Sequence, residues 1–143
     1  MGKVKNILEG KKSEIISASP DQTVFEALEI MLNKNVSALL ILDKGALKGI
    51  FTERDYARKV ILRGKASRDT KLHEVMTEDP LTIDPGQSVD ECMRLMTGKF
   101  IRHLPVMDSG ELVGIISIGD LVKHIIEEQK YTIENLEHYI TGR

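Results

Sequence analysis

The chain has 143 residues, 41% of them hydrophobic and 29% charged, with a net charge of −2 at neutral pH. That is enough for one compact domain or two small units sharing a core, and the slight acidic balance argues against a dedicated nucleic-acid or membrane binder. Trp is absent and aromatic residues make up 4%, so stacking platforms for single-stranded nucleic acid are not expected.

The N-terminus, "MGKVKNILEG", lacks the apolar core of a signal peptide. Asn6 stands where a myristoylation signal carries Ser or Thr. No apolar run approaches the roughly 18 residues of a membrane span. The single cysteine, Cys92, cannot form an internal disulfide, which suits a reducing compartment. A cytoplasmic location is the expectation.

In chain order, a short apolar stretch at 15–18 reads as a strand. "TVFE" follows as a capping box and opens a helix with Val24, Ala27, Leu28, Met31 and Leu32 on one apolar face. "SALLILDKGALKGIF" contains two apolar runs joined by Asp-x-Gly, a hairpin signal in which the Gly supplies a positive φ. A second helix is predicted from Asp55 to about Leu62, stopped by Gly64.

The order then recurs. Residues 81–83 read as a strand, and "SVDE" opens a helix carrying Val89, Cys92, Met93 and Met96. "RHLPVMDSGELVGII" is the hairpin, and a helix runs from Asp120 towards Glu128. Cys92 falls at the place of Ala27 and reads as a small core residue. Beyond it, "YTIENLEHYITGR" places Ile133, Leu136 and Ile140 on one face, with Thr132 as the expected N-cap of a further amphipathic helix.

Sliding the chain by 65 positions aligns residues 20–55 with 85–120 without a gap, and thirteen of the 36 pairs are identical. About two or three would match at random composition. Upstream, "VKNIL" at 4–8 aligns with "LHEVM" at 72–76 at an offset of 68, which puts three additional residues between Glu9 and Ile15. The predicted architecture is therefore α+β: two β-α-β-β-α repeats packed by a pseudo-twofold, at 1–66 and 67–130, plus a C-terminal helix at 131–143. A three-stranded sheet with helices on one face is marginal alone, so each unit is expected to bury its open face on the other. Two equivalent clefts should result.

Each unit ends its second hairpin strand on a similar motif. "GIFTERD" places Thr52 three residues before Asp55, and "GIISIGD" places Ser117 three before Asp120. A hydroxyl followed three residues on by an acid is a helix-capping box. A second reading stands beside it. A helix start at a strand end is also an anion site, and an aspartate can take both hydroxyls of a ribose.

The repeat resembles a pair of CBS domains, the cystathionine β-synthase motif. The resemblance rests on "VMTEDPLTIDPGQSVDECMRLM", "HLPVMDSGELVGIISIGDLV" and "SALLILDKGALKGIFTERDY" and covers Val4 to about Glu128. It implies a stand-alone regulatory module that binds an adenosine nucleotide: AMP, ADP or ATP, with NAD a further candidate. In the first cleft the resemblance implies Thr52, Arg54 and Asp55, with Arg58 one turn on. These would face Thr82 and the stretch Ile101, Arg102, His103, Leu104 and Pro105. In the second cleft it implies Ser117, Gly119 and Asp120, facing Ser17 and the stretch Val36, Ser37, Ala38 and Leu39. Pro105 suggests an interrupted strand.

The first cleft gathers Arg54, Arg58, Arg102 and His103, where the second has Gly119, Lys123, Ser37 and Ala38. Arginine forks match phosphate oxygens, so the Asp55 cleft is expected to take the more phosphorylated ligand. The Asp120 cleft is expected to hold a mononucleotide or stay empty. The basic run at 54–71 reads either as a solvated face or as a phosphate-attracting patch. No histidine spacing suggests zinc, and no nucleophile–base–acid set clusters, so no metal and no enzymatic activity are expected. The expected partners are the nucleotide, a second copy of the chain and an unknown effector protein. The alternative is a dimerisation or interaction module in which both aspartates merely cap helices.

Overall fold

The computed structural model describes residues 2–11 and 14–141. The elements fall into two halves of similar order. In the first are α1 (Val4–Gly10), β1 (Ser17–Ala18), α2 (Val24–Lys34), β2 (Ala38–Asp43), β3 (Ala46–Thr52) and α3 (Glu53–Asp55), which runs into a π-helix, Tyr56–Ile61. In the second are α4 (Leu72–Val75), β4 (Thr77–Glu78), α5 (Val89–Lys99), β5 (His103–Asp108), β6 (Glu111–Ser117) and α6 (Ile118–Thr141). The three additional residues expected after Glu9 fall where Lys12 and Ser13 lie outside the described residues.

Both long repeat helices begin on the predicted capping boxes. Thr23 Oγ1 accepts from the Glu26 amide at 3.1 Å and the Glu26 carboxylate accepts from the Thr23 amide at 3.0 Å. Ser88 and Glu91 repeat the pair at 3.1 Å each. Val24, Ala27 and Met31 are buried on α2, as are Val89, Cys92 and Met96 on α5. Leu32, expected on the same stripe, is 81% exposed. The hairpins turn through two residues, Lys44-Gly45 and Ser109-Gly110, all four with positive φ. This is the turn whose twist matches paired strands.

The two sheets differ from the expected three strands each. The first has four, ordered β1-β2-β3-β4, because β4 from the link between the halves pairs antiparallel with β3. The second has two, β5 and β6, and residues 81–83 make only an isolated parallel bridge, Ile83 to Val106. Pro105 gives the reason. In the first half the Leu40 amide donates to the Ile16 carbonyl at 3.4 Å. Pro105 occupies Leu40's place in the repeat and has no amide hydrogen, so the carbonyl of Leu81 loses its donor. The Ile83 amide still reaches the Pro105 carbonyl at 3.0 Å. The strand carrying Pro105 is itself continuous, contrary to the interruption expected there, and its irregularity lies one step on, between Val106 and Met107.

The leading helices cross over. Val4 and Ile7 of α1 sit in one core with Ile83, Val89, Leu104 and Ile116 of the second half. Leu72 and Val75 of α4 sit with Val24, Leu39, Ile41 and Phe51 of the first. Matching hydrogen bonds pin them: the Val4 amide to the Gln87 carbonyl, and the Leu72 amide to the Gln22 carbonyl, each at 2.9 Å. Each half is thus completed by a helix from the other. Along β2, Leu39 and Ile41 face the first core while Ala38 and Leu40 join Ile50 in a third cluster, against which Leu112 and Ile115 pack. Both faces of the strand are buried, as its unbroken apolar run requires.

The glycine of each Gly-Ile pair serves close approach. A Cβ on Gly49 would lie 2.7 Å from both the Thr77 carbonyl oxygen and Met76 Sδ, and one on Gly114 would lie 2.8 Å from Leu8 Cδ2. The expected C-terminal helix is present but is not separate: α6 runs unbroken for 24 residues. No Gly or Pro interrupts residues 120–141, and the Thr132 hydroxyl donates back to the Glu128 carbonyl at 3.0 Å instead of capping a new start. Among the described residues no helix is long and apolar enough to cross a membrane.

Candidate functional site

At the end of β3, Thr52 caps α3 as the capping reading predicts. Its Oγ1 accepts from the Asp55 amide at 3.1 Å, and Asp55 Oδ2 accepts from the Thr52 amide at 3.0 Å. The second carboxylate oxygen points elsewhere. Oδ1 accepts from the Thr77 hydroxyl at 3.1 Å and lies 3.1 Å from Lys59 Nζ. Asp55 is 8% exposed, and four donors compensate its burial: the Thr52 amide, the Thr52 hydroxyl at 3.1 Å from Oδ2, the Thr77 hydroxyl and the Lys59 ammonium.

Beside Asp55 is a cavity of about 560 Å³. Its lining includes the cationic Arg54, Arg58, Lys59 and Lys99 and the apolar Ile50, Pro80, Leu81, Phe100 and Ile101, with Thr52, Thr77 and His103 also at the wall. A second cavity of about 520 Å³ shares Thr52, Arg54, Arg58, Phe100 and His103 and adds Ser37, Glu53 and Arg102. Most of the first expected group therefore converges. Leu104 and Pro105 do not reach it: both are buried, Leu104 in the second-half core. Thr82 faces a third cavity of about 820 Å³ between the two hairpins, together with Ser17.

The second expected group is not brought together. Ser117 Oγ accepts from the Asp120 amide at 3.1 Å and Asp120 Oδ2 accepts from the Ser117 amide at 2.9 Å, the same box as in the first half. Lys11 Nζ, however, donates to that Oδ2 at 2.8 Å and to the Ile115 carbonyl at 2.9 Å. The remaining space beside Asp120, about 140 Å³, is lined by Lys11, Lys123 and His124, not by residues 36–39. Of those, Leu39 is in the first-half core with Val36 packed on it, and Ala38 is in the cluster between the halves. Ser37 Oγ lies 3.2 Å from His103 Nε2, on the Asp55 side. Gly119 has open space, a Cβ there meeting only Ser117 Oγ at 3.6 Å.

Burial works to raise the Asp120 carboxyl, but the Lys11 ammonium and the Ser117 donors outweigh it and hold the group below the ordinary aspartate value. Because the folded-state value is depressed, the stability this contact contributes is fully present above the ordinary value of about 3.9. It fades as pH falls through the lowered folded value. Lys11→Ala removes one cause of the depression, so the Asp120 carboxyl should titrate at higher pH in that variant. A carbon-13 NMR titration of the side-chain carboxyl measures it, and an unchanged curve would dismiss the contact. Burial pushes the His103 ring below its usual value, with Lys11 and Arg102 acting the same way and Asp120 opposing. Neutral His103 is the favoured form between the two sites.

The basic run divides by role. Arg54, Arg58 and Lys59 reach the cavity, whereas Arg68 lies over the Phe25 ring at 3.9 Å and Lys65 is 4.0 Å from Glu74. Residues that the sequence reading did not single out are Thr77, Phe100 and Lys11; Lys59 was read as part of the basic run and not as a partner of Asp55. Only Lys59, one helical turn from Asp55, carried a local signal.

The family model for the CBS domain matches the chain twice, over residues 4–62 and 72–127. The chain is similar to the CBS domain-containing protein CBSX3, mitochondrial, of Arabidopsis thaliana, at 41% identity over 127 residues. That match covers 85% of this chain and 62% of the relative, under two thirds of its length. A solved CBS-domain protein from Burkholderia ambifaria superposes with a TM-score of 0.87 at 45% identity, covering 90% of this chain and 96% of that one. The structure of CBSX2 in complex with AMP shares the fold at 23% identity, with a TM-score of 0.74 over 90% of this chain and 99% of that one.

Proposed function

The chain belongs to the CBS-domain family, and from that premise we propose that it is a regulatory module that binds one adenosine nucleotide in the Asp55 cavity and is not an enzyme. The carrying observation is that the lining of this cavity divides between cationic side chains, Arg54, Arg58, Lys59 and Lys99, and apolar ones, Ile50, Leu81, Phe100 and Ile101, with Asp55 among them. A nucleotide has the same division: a phosphate end, a flat base, and a ribose whose hydroxyls suit a carboxylate between them. Asp55 Oδ1 takes the ribose by exchanging the Thr77 hydroxyl for a sugar hydroxyl, and the guanidinium forks take the phosphate. That CBSX2 was solved with AMP supports the ligand class.

The Asp120 cleft stays closed because Lys11 enters it, sharing Oδ2 with the capping amide and leaving about 140 Å³ beside the carboxylate. It takes a mononucleotide only when Lys11 withdraws. Ligand in the first cavity touches both halves, since Arg54 and Ile101 come from different repeats, and so favours one arrangement of them. An effector protein reads the change by binding the two arrangements with different affinity. The exposed apolar side chains of α6, Ile133, Leu136 and Ile140, are the surface we assign to self-association. The cytoplasm is the location that fits this reading.

A second reading has its own support: both aspartates are already satisfied as helix caps, which an interaction module without a ligand would also show. Calorimetric titration with AMP, ADP, ATP and NAD separates the two. Nucleotide binding predicts saturation at one ligand per chain for at least one of them, with ATP the tightest of the adenine mononucleotides. No heat and no thermal shift with any of the four would leave the interaction module.

A further inference from the structure

Phe100 ends α5 in the left-handed region, at φ 55° and ψ 40°. The corresponding end of α2 is Asn35, at φ 54° and ψ 51°. Asn tolerates that conformation, whereas a bulky aromatic residue is an outlier there. Core burial does not compensate the strain, because Phe100 is 75% exposed. The residue is nonetheless held. Arg54 Nη1, from the other half, donates to the Phe100 carbonyl at 2.6 Å, and Phe100 lines both cavities beside Asp55. A strained residue clamped from across the cleft, with its ring out of the core, has no evident structural benefit in the free protein. Outliers of this kind point to function.

We propose that Phe100 is the stacking platform for the base of the nucleotide bound at Asp55, and so a specificity-determining residue of that site. The inference rests on the nucleotide reading above and adds to it. The Phe100 ring, with Leu81 and Ile101 nearby in the lining, provides a flat apolar surface for a purine. Arg54 couples the two ends of the ligand, because the side chain that clamps Phe100 also faces the phosphate side. A ligand lacking a base gains nothing from the platform. The second half-site has Asn35 in the equivalent position and no such surface.

The test is Phe100→Asn, which installs the residue of the other repeat and relieves the backbone. Thermal unfolding without ligand should be unchanged or shifted upward. Affinity for AMP should fall about five- to a hundredfold, the worth of one base–aromatic stack, while affinity for ribose 5-phosphate stays as in the wild type. Phe100→Tyr should retain AMP binding and serves if the asparagine variant folds poorly. Wild-type AMP affinity in Phe100→Asn, or equal losses for AMP and ribose 5-phosphate, would overturn the platform while leaving the nucleotide site in place. If the unaltered protein binds neither ligand, both readings fall together.

Discussion

Asp55→Ala is expected to lower adenosine-nucleotide affinity about ten- to a hundredfold, while Asp120→Ala leaves it unchanged. Hydrogen bonds to a charged group are worth about 1.5–3 kcal/mol, and each 1.4 kcal/mol is a factor of about ten. Asp55 offers the ribose Oδ1, now shared by the Thr77 hydroxyl and the Lys59 ammonium, beside a cavity of about 560 Å³; Asp120 faces only about 140 Å³, which Lys11 enters to bind its capping oxygen at 2.8 Å. Both substitutions also remove the carboxylate half of a capping box, with its bond to the Thr52 or Ser117 amide, which costs about 1 kcal/mol of stability. That loss appears in ligand-free unfolding and is therefore separable from the binding loss. Calorimetry on the two variants with AMP and ATP gives the answer. Equal losses at the two positions would remove the asymmetry between the clefts, and a stability change without a binding change would reduce Asp55 to a cap.

Leu72→Ala and Ile7→Ala should each destabilise the half that does not contain them in sequence. Both side chains are buried, Leu72 fully and Ile7 at 8% exposure, and truncating a buried Leu or Ile to Ala costs about 2–5 kcal/mol. Leu72 follows the first repeat but packs with Phe51, Leu39 and Val24; Ile7 begins the chain but packs with Val89, Leu104 and Ile116. Hydrogen exchange should therefore show the larger protection loss in β2 and β3 for Leu72→Ala, and in β5 and β6 for Ile7→Ala. The opposite pattern would contradict the crossed packing. Because the two cores meet through Leu40, Ile50 and Ile115, part of each loss will spread to the other half.

The aspartate motif shows how far local reading reaches. Thr52-Glu53-Arg54-Asp55 was open to both a capping and a ligand interpretation, and the capping geometry is present in full. The two interpretations are compatible, because a carboxylate has two oxygens and the cap uses one. Which further partners the carboxylate meets depends on residues far away in sequence. Thr77 is 22 positions from Asp55 and Lys11 is 109 from Asp120. The charge difference between the clefts was legible in Arg54 and Arg58, but not the lysine that enters the second of them.

Pro105 marks another limit. Its missing donor was visible, and a break in its own strand was the expected result. The defect instead fell on the neighbour, where residues 81–83 fail to form the strand that 15–18 partly form. Thr132, a sound N-cap by type, sits inside a helix because nothing before it breaks the hydrogen-bond ladder.

Near neighbours along the chain settle the duplicated order of elements, the capping boxes, the tight hairpin turns and the apolar stripes of α2 and α5. Each of these is decided by contacts within a few residues, and their recurrence at a fixed offset exposes the repeat. Only the tertiary structure decided the exchange of α1 and α4 between halves, the convergence of Phe100 on Arg54, and the closing of Asp120 by Lys11. Those outcomes depend on which distant groups fill a given space. Repeats that match in pattern can still differ there, since one long side chain entering a cleft is enough to close it.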